Sequence, residues 1–232
     1  MAARLHLIGF ATCPWVQRSA IVLREKGIDY EVTNIDSENR PDWFLRISPH
    51  SKVPVLQVDG HDLFESNAIN EYLEETYAPK LHPADPFERA LNRAWTDYLP
   101  TFANAITNTS YADDEDDYQR HRKTIPQRFA KVEAALAARG HDGPFFNGSA
   151  FSLVDAGYAP FLQRYMFLDR IRPMGFIDEF PRLKAWRDAL LARPSVRAAT
   201  VPDLESIYRG NLRYRKLWIS GFLDGAQAVA AE

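Results

Sequence analysis

Arg4-Leu5-His6-Leu7-Ile8-Gly9-Phe10-Ala11-Thr12-Cys13-Pro14-Trp15-Val16 is the stretch that decides how this chain folds. Leu5, Leu7 and Ile8 predict a short, mostly buried strand over residues 4–9. Val16, Ala20 and Leu23 then recur at i, i+4 and i+7, one face of a helix over residues 15–26 that Gly27 ends. A second strand is expected at 30–35. A strand, a helix and a strand in that order predict a right-handed βαβ unit.

Between the first strand and the first helix stands Cys13, the only cysteine in 232 residues. A sulfur placed there points at a helix N-terminus, where unpaired backbone N–H groups and the positive end of the helix dipole favour a thiolate. Pro14 suits the first helical turn, which has no use for its missing N–H. A dithiol redox motif would put a second cysteine at position 16, which is Val16. A reactive Cys13 therefore works as a monothiol and draws its second thiol from solution. The competing reading is a small buried hydrophobe, the ordinary role of an isolated intracellular cysteine.

Outward from this unit, residues 42–47 read as a short helix, 55–58 as a third strand, Asp59-Gly60 as a tight turn and 62–64 as a fourth strand. Ser66 is expected to cap a helix running to 77, with Ile69, Tyr72 and Leu73 on one face. Val53-Pro54-Val55 sets a proline directly before a strand. It is either an ordinary trans proline or a cis-proline that exposes the backbone N–H and C=O of Val53 to an extended peptide. Glu65-Ser66 is either a plain helix start or a receptor for an amino-acid zwitterion, with hydroxyl and N–H groups for the carboxylate and Glu65 for the ammonium.

Ala78-Pro79-Lys80-Leu81-His82-Pro83-Ala84-Asp85-Pro86 carries three prolines in nine residues and predicts a domain boundary. The expected organisation is a first domain over 1–78, a linker over 79–86 and a helical domain over 87–232. Long helices are expected at 87–108 and 118–139, with the acidic run 113–117 a solvated loop between them. Ser152-Leu153-Val154-Asp155 resembles a capping box opening another helix, and 181–192 and 203 onward read as helical.

Composition narrows the function classes. At 46% hydrophobic and 25% charged the chain is an ordinary globular protein, and its net charge of −3 gives no basic footprint for nucleic acid. No apolar run approaches the roughly 20 residues that span a bilayer. One cysteine excludes an internal disulfide framework and points to a reducing cytoplasm. Met1-Ala2-Ala3-Arg4 leads directly into the first strand, so no signal peptide is expected. Six histidines without a ligand pattern, and no second cysteine, predict no metal site.

The order Cys13-Pro14-Trp15-Val16-Gln17-Arg18, Arg40-Pro41-Asp42-Trp43-Phe44, Val53-Pro54-Val55-Leu56, Glu65-Ser66-Asn67-Ala68-Ile69 and Ser152-x-x-Asp155 resembles the cytosolic glutathione transferase superfamily. It is nearest to the cysteine-type, omega-like branch. The Cys-Pro-Trp triplet is also similar to that of glutathionyl-hydroquinone reductases, a longer branch. The resemblance implies an α/β thioredoxin-like N-terminal domain, an all-α C-terminal domain, and a homodimer. Glutathione would be the co-substrate, with no metal. Cys13 would face its sulfur, Val53 before a cis-Pro54 would pair with its cysteinyl backbone, and Glu65 and Ser66 would hold its γ-glutamyl end. Arg40 and Lys52 are further candidates for glutathione contact. An acceptor pocket for a small hydrophobic or glutathionylated substrate is expected between the domains, with Phe10, Trp15, His50, Tyr111, Tyr165 and Tyr208 as candidates. Thioltransferase, dehydroascorbate reductase, deglutathionylating or thioether-cleaving activity would follow from a cysteine nucleophile. The alternatives are a conjugating transferase and a non-catalytic binding or regulatory protein of the same fold.

Overall fold

The computed structural model describes residues 4–223. Four strands form one sheet in the order β2-β1-β3-β4: β1 (Leu5–Gly9) at its centre, β2 (Glu31–Asn34), β3 (Val55–Val58) and β4 (His61–Phe64). β1 runs parallel to β2 and antiparallel to β3, which pairs antiparallel with β4. Because side chains alternate across a strand, register sorts the core into two layers. Leu7 and its partner Leu56 join the core with α1 (Pro14–Glu25) and α3 (Ser66–Thr76), whereas Ile8 and its partner Val55 meet Phe44 of α2 (Asp42–Ile47) on the other face. The turn between β3 and β4 has positive φ at both Asp59 (49°) and Gly60 (87°), as a two-residue hairpin turn requires.

The second half is helical: α4 (Pro86–Ser110), α5 (Glu115–Arg122), α6 (Ile125–Ala138), α7 (Leu153–Ile171), α8 (Pro181–Ala192), α9 (Pro194–Ala198) and α10 (Leu204–Tyr214), with short 3-10 turns at Phe176–Glu179 and Trp218–Phe222. The capping box at α7 is complete. Ser152 Oγ accepts from the Asp155 N–H, and the Asp155 carboxylate accepts from Ser152 N (2.8 Å), Phe146 N (2.9 Å) and Trp186 Nε1 (2.6 Å). One buried carboxylate thus ties α7 to α8 and to the loop before it.

Four local expectations change. The helix expected at 118–139 is two helices, because Pro126 has no N–H to give the Arg122 carbonyl and the chain breaks between α5 and α6. The acidic run is not a loop. Asp114 caps α5 by accepting from the Asp117 N–H, and Glu115, Asp116 and Asp117 occupy its first turn, where the helix dipole favours negative charge. Ser66 is the first helical residue of α3 rather than its cap, a position held by Glu65 at φ 67°. Nor is α1 amphipathic: Val16 through Leu23 are all buried, Gln17, Arg18 and Ser19 included, because α1 packs against the sheet on one side and α7 on the other.

The C-terminal end of α1 is fastened by charge. Lys26 Nζ donates to Glu74 Oε2 (2.7 Å) and to the carbonyls of Tyr77 (3.0 Å) and Pro79 (2.7 Å). Glu74 in turn accepts from the N–H groups of Leu81 and His82 (both 2.9 Å), so the proline-rich segment is held at several points. Arg193, just before α9, forms a two-pronged pair with Glu25 (both 2.8 Å).

Candidate functional site

Cys13 occupies the cap position of α1 with an extended backbone, its N–H donated to the Phe10 carbonyl (3.0 Å) and its carbonyl accepting from Gln17 N (3.0 Å). The turn is tight because Gly9 lets α1 approach: a Cβ at Gly9 would lie 2.4 Å from a Val16 methyl. The backbone N–H groups of Val16 and Trp15 and the charge of Arg164 draw the Cys13 thiol down, yet burial pushes it up and wins. Burial thus opposes the thiolate that the helix N-terminus by itself favours.

Two cavities open near the start of α1: Trp15 lines the first, and Phe10, Thr12, Cys13 and Pro14 line the second. The first, about 380 Å³, is lined by Trp15, Lys52, Val53, Pro54, Glu65 and Ser66, together with His50, Arg18, Asn67 and Asp97. The Val53–Pro54 bond is cis. Among the described residues no protein group takes up the Val53 N–H or carbonyl, so both remain available to a ligand. Beneath Ser66 lies Arg18, fully buried. Its guanidinium donates to Asn67 Oδ1 (3.1 Å) and, weakly, to Ser66 Oγ (3.4 Å), and burial lowers it to about 10. Cations (Arg18, Lys52) and carboxylates (Glu65, Asp97) wall one space, a match for a zwitterion carrying both signs.

The second cavity, about 310 Å³, is lined by Cys13, Phe10 and Tyr111, joined by Asp36, Glu38, Asn211, Tyr214 and Arg215. It is more polar than a pocket for a small hydrophobe. The Tyr214 hydroxyl donates to Glu38 Oε2 (3.1 Å), bridging the end of α10 to the loop after β2.

The remaining candidates fall elsewhere. Trp15 and His50 line the first cavity, not the second; Trp15 packs edge-on against Phe161 of α7, 4.7 Å between ring centroids. Tyr165 is enclosed in the helical core, its hydroxyl accepting from Ile177 N (3.3 Å). Tyr208 is buried and donates to Ser110 Oγ (2.8 Å). Both tyrosines are core residues, as apolar bodies on a buried helix face usually are. Arg40 lines neither cavity: its guanidinium lies over the Phe10 ring (5.4 Å) and donates to the carbonyls of Ser51 (2.6 Å) and Ser37 (3.2 Å).

Sequence reasoning missed Arg18, Asp97, Glu38, Tyr214 and Arg164. For Arg18 a signal existed, a charge within a stretch that α1 buries on all sides. For Tyr214 none did, because it reaches the Cys13 side from 176 residues beyond its partner Glu38. Among the described residues no group of three His, Cys, Asp or Glu could hold a metal ion, and no helix is long and apolar enough to cross a membrane.

Comparison with known proteins gives a consistent result. Residues 7–81 match the family model "Glutathione S-transferase, N-terminal domain", and residues 115–189 match "Glutathione S-transferase, C-terminal domain". Glutathione S-transferase omega-1 of Rattus norvegicus is 32% identical over 212 residues, 88% of this chain and 86% of that protein. Glutathione transferase Omega 3C from Trametes versicolor superposes with a TM-score of 0.76 at 30% identity, covering 86% of this chain and 90% of the other. Rice GST1, solved in complex with glutathione, superposes with a TM-score of 0.80 at 26% identity, covering 93% of this chain and 98% of the other.

Proposed function

The chain belongs to the glutathione S-transferase family, and from that premise we propose that it moves glutathione between thiols through a Cys13–glutathione mixed disulfide. The observation that carries this reading is one free cysteine at the start of α1 that lines the second cavity, while Trp15, two residues on, lines the first. Glutathione lies in the first. Its γ-glutamyl carboxylate meets Ser66 above Arg18, and its ammonium meets Glu65 and Asp97. Its cysteinyl backbone pairs with the free N–H and carbonyl of Val53, and its glycyl carboxylate approaches Lys52. The acceptor occupies the second cavity, beside Cys13.

In the first step the Cys13 thiolate attacks the glutathionyl sulfur of a disulfide R–S–S–G. The Cys13–S–S–G bond forms, the S–S bond of the substrate disulfide breaks, and the released R–S⁻ takes a proton. In the second step a glutathione thiolate attacks the same glutathionyl sulfur, giving oxidised glutathione and regenerating Cys13. The sum is RSSG + GSH → RSH + GSSG: one glutathione is consumed per turnover, and the glutathionyl group carried by the substrate leaves as the other half of oxidised glutathione. Val16, where a resolving cysteine would stand, leaves the second thiol to solution. The work belongs in a reducing cytoplasm, and the protein acts as a homodimer, for which Phe87 (69% exposed) and Leu91 (42%), one turn apart on α4, offer apolar surface.

A second reading rests on the upward push that burial gives the Cys13 thiol. A protonated Cys13 donates a hydrogen bond to the sulfur of bound glutathione, which then attacks an electrophile itself. One pair of proteins separates the two readings. On brief exposure to oxidised glutathione the wild type gains one glutathione by intact mass and loses it to reduced glutathione. Cys13→Ser gains none, and its thiol-transfer rate falls on the order of a hundredfold or more. Full thiol-transfer activity in Cys13→Ser would end the mixed-disulfide reading and leave conjugation.

A further inference from the structure

Arg164 has no part in the scheme above, yet it is a fixed cation bonded to the carbonyl of Thr12, the residue before Cys13, and its charge acts on the Cys13 sulfur. It sits on α7, 7% exposed, and reaches across to the turn that carries Cys13. Nη2 donates to the Thr12 carbonyl (2.9 Å), and Nη1 to Gln17 Oε1, Gln163 Oε1 (2.9 Å) and the Pro160 carbonyl (3.3 Å). Every one of these acceptors is neutral. Removing a cation from water without giving it an anion is costly, and burial lowers this guanidinium to about 10.

The titratable and charged groups that face Cys13 and Arg164 come from three places. Tyr111 follows α4; Asp36 and Glu38 lie in the loop after β2; Tyr208, Tyr214 and Arg215 belong to or follow α10. The Asp36 carboxylate is engaged by the N–H groups of Glu38 and Asn39, and Glu38 by the Tyr214 hydroxyl. Burial pushes Tyr208 up, keeping it neutral. Of the groups touching this space, Cys13 is the one the scheme requires to become an anion, and its attraction to Arg164 runs both ways.

We propose that Arg164 is a positioning residue, holding the turn ahead of Cys13 through the Thr12 carbonyl and serving as the resident counter-charge for the Cys13 thiolate. Its unpaired state is then the resting half of an ion pair completed when the sulfur ionises. The proposal rests on the reading of Cys13 as nucleophile, but its test needs no glutathione and no acceptor.

The test is alkylation of Cys13 by iodoacetamide, which releases iodide and reports the thiolate fraction, followed by intact mass from pH 6 to pH 10. Arg164→Met removes the charge. Gln17→Glu keeps Arg164 and a side-chain acceptor for it but cancels its charge with a carboxylate. Arg164→Lys retains the charge. Both charge-cancelling variants are expected to alkylate about tenfold more slowly at pH 7 and to recover at high pH, with Arg164→Lys close to wild type. A folded Arg164→Met or Gln17→Glu protein with the wild-type pH profile would overturn the proposal; if Arg164→Met does not fold, Gln17→Glu decides alone. Failure here would leave the mixed-disulfide cycle standing, because that cycle is judged separately by the glutathione adduct on Cys13.

Discussion

The two ends of α1 handle buried charge in opposite ways. At the C-terminal end Lys26, its side chain fully buried, meets Glu74 directly, and the pair is closed by two carbonyls and two amide N–H groups from the segment that leads into the helical half. At the N-terminal end Arg164 meets only neutral acceptors, with Cys13 beside it. A compensated buried pair holds chain segments in place and has nothing left to offer a ligand. An uncompensated one keeps its field for a charge that arrives later. One helix therefore carries a joint at one end and, on the proposed function, the nucleophile at the other, and the arrangement of counter-charges distinguishes them.

The most severe way to test this contrast is to break the joint. Lys26→Met leaves Glu74 buried without its cation, and removing one partner of a buried pair costs about 3–5 kcal/mol. Urea denaturation should show that loss, while the protein that remains folded alkylates Cys13 at the wild-type rate. Arg164→Met is expected to invert the pattern, with the smaller loss of stability and the larger loss of thiol reactivity. A Lys26→Met protein as stable as wild type would remove the contrast.

A milder test uses acid on the neighbouring pair. Burial raises the Glu71 carboxyl, but His82 (2.9 Å) and Arg93 (2.7 Å) outweigh it and hold it at about 2, against an ordinary 4.5. Because the folded value lies below the unfolded one, the stabilisation is complete above pH 4.5 and is lost as pH falls toward 2. It is on the order of 2 kcal/mol once solvent access is allowed for. Urea midpoints measured from pH 6 to pH 3 should fall, and Glu71→Gln should flatten part of that fall. An identical slope in the variant would show that Glu71 is not the group responsible.

The smallest effect is expected at the rim of the second cavity, the proposed acceptor site. Tyr214 and Glu38 are both exposed, so Tyr214→Phe should change stability by less than about 0.5 kcal/mol. With the bridge gone, the KM for a bulky acceptor should move by about twofold and kcat should not. A large change in kcat would mean that α10 takes part in the chemistry rather than bordering it.

The fold was legible wherever chemistry acts over a few residues. The strand–Cys–Pro–helix order, the Asp59-Gly60 turn and the Ser152-x-x-Asp155 box all depend on neighbours within one turn, and each stands in the structure. The break at Pro126 was equally local and could have been read, since a missing N–H is a property of the residue itself. Lys52, Val53, Pro54, Glu65 and Ser66 come together in one cavity, since each lies at the end of a strand or helix whose place in the sheet is fixed by register. The aromatic candidates fared worse. Tyr165 and Tyr208 look like Tyr111 in sequence, and what separates them is which face of a helix the rest of the chain covers.

By itself the sequence determined the family, the two-part architecture, the single thiol and the helix end that receives it, because these rest on motif order and local backbone chemistry. Only the tertiary structure decided the surroundings of that thiol. Packing α1 between the sheet and α7 desolvates the half-buried Cys13, pushing it up against its own helix N-terminus, and brings Arg164 across 151 residues to oppose that effect. Solvation and the Coulomb field depend on distance in space, which sequence separation does not encode.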